Sequence, residues 1–303
     1  MLTIVIPSYN HENYILDCLN AACKLDVVGK KIIVIDDGST DETEEIVRQF
    51  IEERNKDDVR LVCKKNSGLV SSLNMGLALA DTEYFYLVAS DDIPVLQGIL
   101  QCVTELQKNP LVQFCIGGGN NFCKEWGDRK TSIYGKKHEL FFGMEKHRRK
   151  KEIFLNCPAP ILLQSTVFRV EALRAIGGWD PKLIWDDYPT FVKMLEKFPQ
   201  KGKDFIYEPN FCVVEYRHHG SNSYKNLFKQ FSILRQSYLT LAPPELLDRA
   251  IGNALGYYVL VGLRERDFKG VIKIIKTASW KARFYALPSA ANVMIDKWLR
   301  SLK

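Results

Sequence analysis

The regular alternation of strand-like and helix-like segments over the first hundred residues constrains this chain more than any other feature. Leu2 to Pro7 is a continuous apolar run of strand length, after which Ile15, Cys18, Leu19 and Ala22 recur at helical spacing. Lys31 to Asp36 reads as a second strand. Ser39 and Glu42, spaced as a capping box, open a helix whose apolar face is Ile46, Val47, Phe50 and Ile51. Val59 to Cys63 gives a third strand, and Val70, Leu73, Leu77 and Ala80 a third helix. Tyr84 to Val88 gives a fourth strand that stops at Ser90-Asp91-Asp92. This pattern predicts an α/β fold with a mainly parallel, Rossmann-like sheet flanked by helices on both faces. Ligands bind such sheets beyond the carboxyl ends of the strands. The rule picks out Pro7-Ser8-Tyr9-Asn10, Asp36-Asp37-Gly38-Ser39 and Ser90-Asp91-Asp92, all polar and two with paired carboxylates. Carboxylates gathered on one edge repel each other, so a cation or a hydrogen-bonding partner is expected among them.

From about residue 111 the pattern loosens. Gly117-Gly118-Gly119-Asn120-Asn121 lacks the spacing of a dinucleotide fingerprint and reads as a turn. Lys136 to Glu152 is dense in charge and reads as an exposed segment. Regular structure is expected again at Ile161 to Arg169, then a helix from Glu171 to Ile176, a turn at Gly177-Gly178-Trp179-Asp180 and a helix beginning near Trp185-Asp186-Asp187. A strand at Phe211 to Tyr216 leads through Arg217-His218-His219-Gly220-Ser221-Asn222-Ser223 into a helical tail. The expected organisation is a catalytic domain over 1–224, with a nucleotide-binding half over 1–110 and an acceptor half over 111–224, followed by a basic helical extension over 225–303.

With 303 residues, 46% hydrophobic and 26% charged, the chain can bury a full core, and disordered or collagen-like readings fall away. The eight cysteines are scattered without a Cys-x-x-Cys pair, which argues against zinc and for a reducing compartment. Met1 leads straight into an apolar strand with no basic leader or cleavage site, so a cytoplasmic location is expected. No uncharged apolar stretch reaches the ~20 residues of a membrane span. The nearest, Ala250 to Leu263, reads as a buried helix.

The motifs occur in a telling order. Ile-Pro-Ser-Tyr-Asn (Ile6 to Asn10), Ile-Asp-Asp-Gly-Ser-Thr-Asp (Ile35 to Asp41), Asn66-x-Gly68, Asn74-x-Gly76, Ser90-Asp91-Asp92, Gly177-Gly178-Trp179-Asp180 and Asp186-Asp187 together resemble family 2 of the inverting glycosyltransferases, of the bacterial polysaccharide type, with a GT-A fold. Arg217-x-His219 extends the likeness to about residue 223. The resemblance implies that a sugar passes from a nucleotide diphosphate donor to an acceptor hydroxyl. Asp92 would hold Mn²⁺ or Mg²⁺ against the diphosphate, with Asp91 facing the ribose or assisting the metal. Many relatives carry Asp-x-Asp-Asp here, whereas this chain has Ala89 where the first acid would stand. Asp37 would accept a hydrogen bond from the pyrimidine, with Pro7 and Tyr9 as the wall for the base. Uracil and thymine carry a donor at N3 that cytosine lacks, which favours a UDP or dTDP donor. Asn66 and Gly68 would line the nucleotide, and Gly68 allows close backbone approach. The resemblance makes Asp187 the general base, Arg217 a diphosphate ligand and His219 a further metal ligand. Asp36 reads as structural.

Residues 225 to 303 hold 14 Lys or Arg against 5 Asp or Glu, a net +9, which leaves residues 1 to 224 at about −3 of the formal +6. Trp280, Lys281, Arg283, Phe284 and Tyr285, then Met294, Ile295, Lys297, Trp298 and Arg300, mix bases with aromatic and apolar residues. Two readings of the tail stay open: a helical cap with a solvated basic face, or contact with an anionic membrane, which would suit a glycan or lipid-linked acceptor. A sugar-1-phosphate nucleotidyltransferase would need a Gly-rich, Arg-containing loop after the first strand, and this chain has Pro-Ser-Tyr-Asn there. A nucleic-acid-binding module has only the basic segments in its favour, beside a net acidic core.

Overall fold

Buried apolar runs pair in parallel to build the first half of the sheet. The computed structural model describes residues 1–25, 29–54, 58–123, 127, 129–219 and 226–288. In chain order its first elements are β1 (Leu2–Ser8), α1 (Ile15–Cys23), β2 (Lys31–Asp36), α2 (Thr43–Arg54), β3 (Val59–Cys63), α3 (Leu69–Leu79) and β4 (Tyr84–Leu87). The strands lie in the order β3-β2-β1-β4, all parallel, with Ile4 opposite both Ile32 and Tyr86. Leu2, Ile4, Val5, Ile6 and Ile32 to Ile35 are buried, as strands covered on both faces require. The crossovers step one way from β1 to β3 and then jump back across β1 to β4. The switch point of the sheet therefore falls between β1 and β4, and ligands bind open sheets of this kind beyond the carboxyl ends at such a point.

The start of α2 departs from the sequence expectation. Ser39 does not cap the helix: its hydroxyl donates to Asp36 Oδ1 (2.5 Å) and accepts from the Asn10 N–H (2.9 Å). Asp41 does the capping, accepting from Thr43 N–H and Oγ1 at 3.1 and 2.5 Å. A tertiary partner, the loop after β1, takes the serine that local spacing had assigned to the helix.

Beyond β4 come β5 (Ile93–Pro94), α4 (Leu96–Lys108), β6 (Phe114–Phe122), β7 (Thr131–Ser132), α5 (Lys136–Phe142), α6 (Lys146–Leu155), a 3₁₀ turn at Leu163–Ser165, β8 (Thr166–Arg169), α7 (Val170–Ala175), α8 (Asp187–Lys197) and β9 (Phe205–Arg217). The sheet becomes mixed here and continues as β4-β8-β6-β9-β5. β8 is antiparallel to both neighbours, β9 is parallel to β6, β5 is antiparallel to β9, and β7 pairs β6 off this path. Phe168, Phe114 and Phe205, from β8, β6 and β9, stack with centroids 6.1 and 5.2 Å apart and tie the three strands together.

One expectation is corrected and another is refined. Gly117, Gly118 and Gly119 form no turn but lie inside β6, where the register against β9 shifts. A Cβ on Gly118 would sit 2.0 Å from the Pro209 carbonyl oxygen, so only glycine lets the β9 backbone approach so closely. The charged stretch from Lys136 to Glu152 exposes its lysines as expected, but it is helical and enters α5 and α6. Phe141, Phe142, Ile153 and Phe154 are buried, with the lysines on the outer faces, so charge density had masked an amphipathic pattern.

The chain divides into two compact units, Met1–Gly143 with Ala159–His219, and Met144–Pro158 with Gly220–Lys303. The first holds the whole sheet. The second comprises α6, α9 (Leu227–Leu241), α10 (Pro244–Arg264), α11 (Phe268–Thr277) and a helical run over 280–288. Ala250, Gly252, Ala254 and Gly256 lie on the buried side of α10. Among the described residues no helix is long and apolar enough to cross a membrane. Gly220 to Ser223 and the tail residues Met294, Ile295, Lys297, Trp298 and Arg300 lie outside the described residues.

Candidate active site

The loops that leave β1 and β4 flank the switch point, and side chains from both meet there. Asp92 follows β4 and is 1% exposed. Its Oδ1 accepts from the Arg217 backbone N–H (2.6 Å), while Oδ2 is buried without a hydrogen-bond partner. Burial, then the charge of Asp91, pushes its carboxyl well above the usual carboxylate range, with the Arg217 N–H and the Gln164 side chain opposing. Asp91 accepts at Oδ2 from His219 Nε2 (2.9 Å), and His11 Nε2 lies 3.9 Å from the same oxygen. His11 Nδ1 shares a hydrogen bond with Ser90 Oγ at 2.7 Å, which ties the loop after β1 to the loop after β4. Burial lowers the His11 pKa, against the pull of Asp91.

Arg217, at the end of β9, turns into this cluster instead of out of it. Its Nε donates to the Asp91 carbonyl (2.7 Å) and its Nη2 to Asp17 Oδ2 on α1 (2.8 Å). The guanidinium also lies over the rings of Tyr14 and Phe122, at 5.2 and 4.8 Å. Tyr14 stacks in turn on His219, with centroids 4.7 Å apart. The arginine thus binds α1, β9 and the turn after β4 into one piece.

Asp187 opens α8 and is half-buried. Its Oδ1 accepts from the Leu163 N–H (2.7 Å), in the segment that leads into β8, the neighbour of β4. Burial, then Asp186, holds its pKa well above the ordinary value, and Asp92 is near enough to raise it further. The charge of Asp92, 95 positions earlier in the chain, is thus the smallest of the named influences on Asp187.

On the other side of β1, Asp37 is buried at the end of β2. Its Oδ1 accepts from Lys64 Nζ and the Ser67 N–H, and its Oδ2 from the Gly68 N–H (2.8 Å). Two lone pairs on each oxygen leave Oδ2 capacity for one more donor. Pro7 is buried in β1, whereas Tyr9, Asn66 and Gly68 are exposed on this rim. Asp36 is held by Ser39, the structural role read for it.

Two motifs of the sequence reading bind each other and no open space. Asn74 accepts from the Trp179 N–H (3.0 Å) and donates to its carbonyl (2.8 Å). Gly178, at φ +61°, ends α7, and a Cβ there would lie 2.6 Å from Asn74 Oδ1. This clasp fixes the turn before α8. Conversely, sequence reasoning passed over His11, Tyr14, Asp17, Lys64 and Gln164. His11 follows directly on the polar run after β1, so the strand-end rule reaches it, but nothing local marks its partners.

Among the described residues no group of three or more His, Cys, Asp or Glu side chains is gathered to cage a metal. Mg²⁺ is commonly held by one or two carboxylates together with substrate phosphates, without an all-protein cage. The unpartnered Asp92 Oδ2 beside Asp91 fits that manner of binding. A cavity of about 420 Å³ between α1 and α4, lined by Asp17, Asn20, Lys24, Pro94 and Leu96 among others, contains neither member of the acid pair nor Asp187.

The sequence matches glycosyl transferase family 2 over residues 3–170. It is 26% identical over 197 residues to the poly-beta-1,6-N-acetyl-D-glucosamine synthase of Staphylococcus epidermidis, covering 64% of this chain and 45% of that protein. It is 27% identical over 244 residues to the chondroitin synthase of Pasteurella multocida, covering 78% of this chain and 23% of that protein. The chain thus spans less than half the length of these relatives. The structure resembles S. aureus TarS 1-349 in complex with UDP-GlcNAc, with TM-score 0.61, 15% identity, and coverage of 92% of this chain and 93% of that one. It also resembles the mannosyltransferase PcManGT of Pyrobaculum calidifontis in complex with GDP-Man and Mn²⁺, with TM-score 0.57, 19% identity, and coverage of 98% and 79%. At such identities the likeness speaks to fold, which is GT-A. A match across more than half the chain, running through the strand-end acids of β2 and β4, makes this protein a member of glycosyl transferase family 2.

Proposed function

We propose that this glycosyltransferase moves a sugar, with inversion at the anomeric carbon, from a UDP-sugar or dTDP-sugar to an acceptor hydroxyl in surface polysaccharide synthesis. The observation that carries the reading is the meeting of Asp91, Asp92, His11 and His219 at the end of β4, with one oxygen of the buried Asp92 unpartnered. In this reading Pro7, Tyr9, Asn66, Gly68 and the free lone pair of Asp37 Oδ2 receive the nucleoside. TarS has been seen in complex with UDP-GlcNAc and with UDP, and the S. epidermidis relative is a poly-beta-1,6-N-acetyl-D-glucosamine synthase, which makes UDP-N-acetylhexosamines the first donors to test.

Asp91 and Asp92 would hold Mn²⁺ or Mg²⁺, with His219 as a further ligand if it leaves Asp91. Such an ion, when bound, neutralises charge on the departing diphosphate. Asp187 takes the proton of the acceptor hydroxyl as that oxygen bonds to the anomeric carbon and the bond to the diphosphate oxygen breaks. A carboxylate with a raised pKa is a stronger base than a solvated one, and the Leu163 N–H holds it in place. Arg217 acts here from behind, through Asp91 and Asp92. A glycan or lipid-linked oligosaccharide at the inner face of the cytoplasmic membrane is the proposed acceptor.

The test is thermal unfolding with UDP, dTDP, GDP and their sugars, each with and without Mn²⁺, followed by a transfer assay with the best donor. UDP or dTDP compounds should stabilise most, and more with the metal; no stabilisation by any nucleotide in either condition would sink the reading.

A further inference from the structure

The last described helices of the second unit carry their large apolar side chains on the wrong side for a protein in water. In α11 the buried face is Gly270, Val271 and Ile274, whereas Phe268 and Ile272 are 58% and 54% exposed. Over 280–288 the buried residues are Ala282 and Ala286, while Trp280, Phe284 and Leu287 are 74%, 68% and 72% exposed. At 100° per residue, Leu287, Trp280 and Phe284 span one narrow stripe.

This stripe is not left over from a helix that failed to dock. A Cβ on Gly252 of α10 would meet Tyr285 Cβ at 2.5 Å and the Ala282 carbonyl oxygen at 2.6 Å, so small residues already seat the helix closely. Ser279 caps it through the Ala282 N–H (3.1 Å) and bonds Asp248 Oδ1 on α10 at 2.6 Å. The rotation of the helix is therefore set, and its small residues face inward while its large ones face out.

The charge says what covers the stripe. Lys269, Lys273, Lys276, Lys281 and Arg283 are all exposed, and residues 268–288 contain no Asp or Glu. Exposed aromatics bordered by bases match the interface of a bilayer with anionic headgroups, where rings enter the acyl boundary and cations meet phosphate. We propose that this face, from Phe268 to Leu287, docks the protein on an anionic lipid surface. The inference rests on the membrane-proximal placement proposed above and not on the identity of the donor.

The test is cosedimentation of the full chain with vesicles of phosphatidylglycerol and phosphatidylcholine in equal parts, against vesicles of phosphatidylcholine alone. Binding should favour the anionic vesicles and weaken with salt. Lys269→Glu, Lys273→Glu and Lys276→Glu combined should lower the partition coefficient roughly a hundredfold or more, at about 1 kcal/mol per base. Trp280→Ser with Phe284→Ser should lower it comparably. All substituted side chains are exposed, and thermal unfolding of each variant reports whether it folds. Equal binding by the variants and the intact chain overturns the proposal. So does binding indifferent to headgroup charge, or self-association through this face without vesicle binding. Stabilisation by nucleotide, measured on the same samples, tells the two readings apart: if it persists while vesicle binding fails, only the docking surface falls.

Discussion

Asp187 is where a single group's environment does most for the proposed chemistry. Its carboxyl is raised well above the usual range by burial and by Asp186, so the base form is lost on acidification earlier than for a solvated aspartate. The transfer rate should fall as pH drops through that raised value, with an acid limb above the ordinary carboxylate range, as a pH profile of kcat/KM would reveal. Asp187→Asn keeps an acceptor for the Leu163 N–H and removes a charge that burial disfavours. It should cost about 10²–10⁴-fold in transfer while the unfolding midpoint stays level or rises, and nucleotide affinity should be retained. The stability part follows from sign: with the folded-state pKa raised, stability is full below the ordinary carboxylate value and is lost as pH rises from there through the raised value. Arg217 should behave in the opposite manner. Arg217→Ala removes two charge-assisted bonds and two ring contacts, and should cost about 2–4 kcal/mol in urea unfolding. Asp17→Asn, on the exposed partner, should cost under about 1 kcal/mol. Both residues were singled out by motif, but neither the raised pKa of Asp187 nor the inward turn of Arg217 is legible in a motif, because both depend on neighbours far along the chain.

At the scale of elements, the parallel half of the sheet was legible because each strand is a local apolar run and each helix a local period. β6 was not. Three glycines inside it suppress strand propensity, and their reason for being there, the β9 backbone, lies about ninety residues on. The helices of Lys136 to Glu152 were hidden differently: the exposed lysines outnumber the buried aromatics that decide them. The turn before α8 offers a direct check on motif against structure. Gly178→Ala would strain a φ of +61° and press on Asn74, for about 1–3 kcal/mol by chemical denaturation. Asn74→Ala should cost a similar amount by leaving the Trp179 backbone unpaired. Neither should change nucleotide affinity, since both residues serve the clasp.

For the molecule as a whole, the charge is uneven, about −3 over residues 1–224 and +9 over 225–303, so the proposed nucleotide site and the proposed lipid-docking face can be tested independently. A nucleotide at about one hundred times its Kd should stabilise the fold by about 2.7 kcal/mol, seen as a higher unfolding midpoint that moves with ligand concentration. Vesicles should leave that shift unaltered.

Local periodicity, strand-end polarity and the order of the acids were determined by the sequence alone, since each is written within a few residues, and they suffice for the fold class and the family. Only the tertiary structure decided which carboxylate oxygen is left buried and unpartnered, which arginine turns inward, and which aromatic residues face water. Those outcomes arise from burial and partner choice, to which residues from opposite ends of the chain contribute at once.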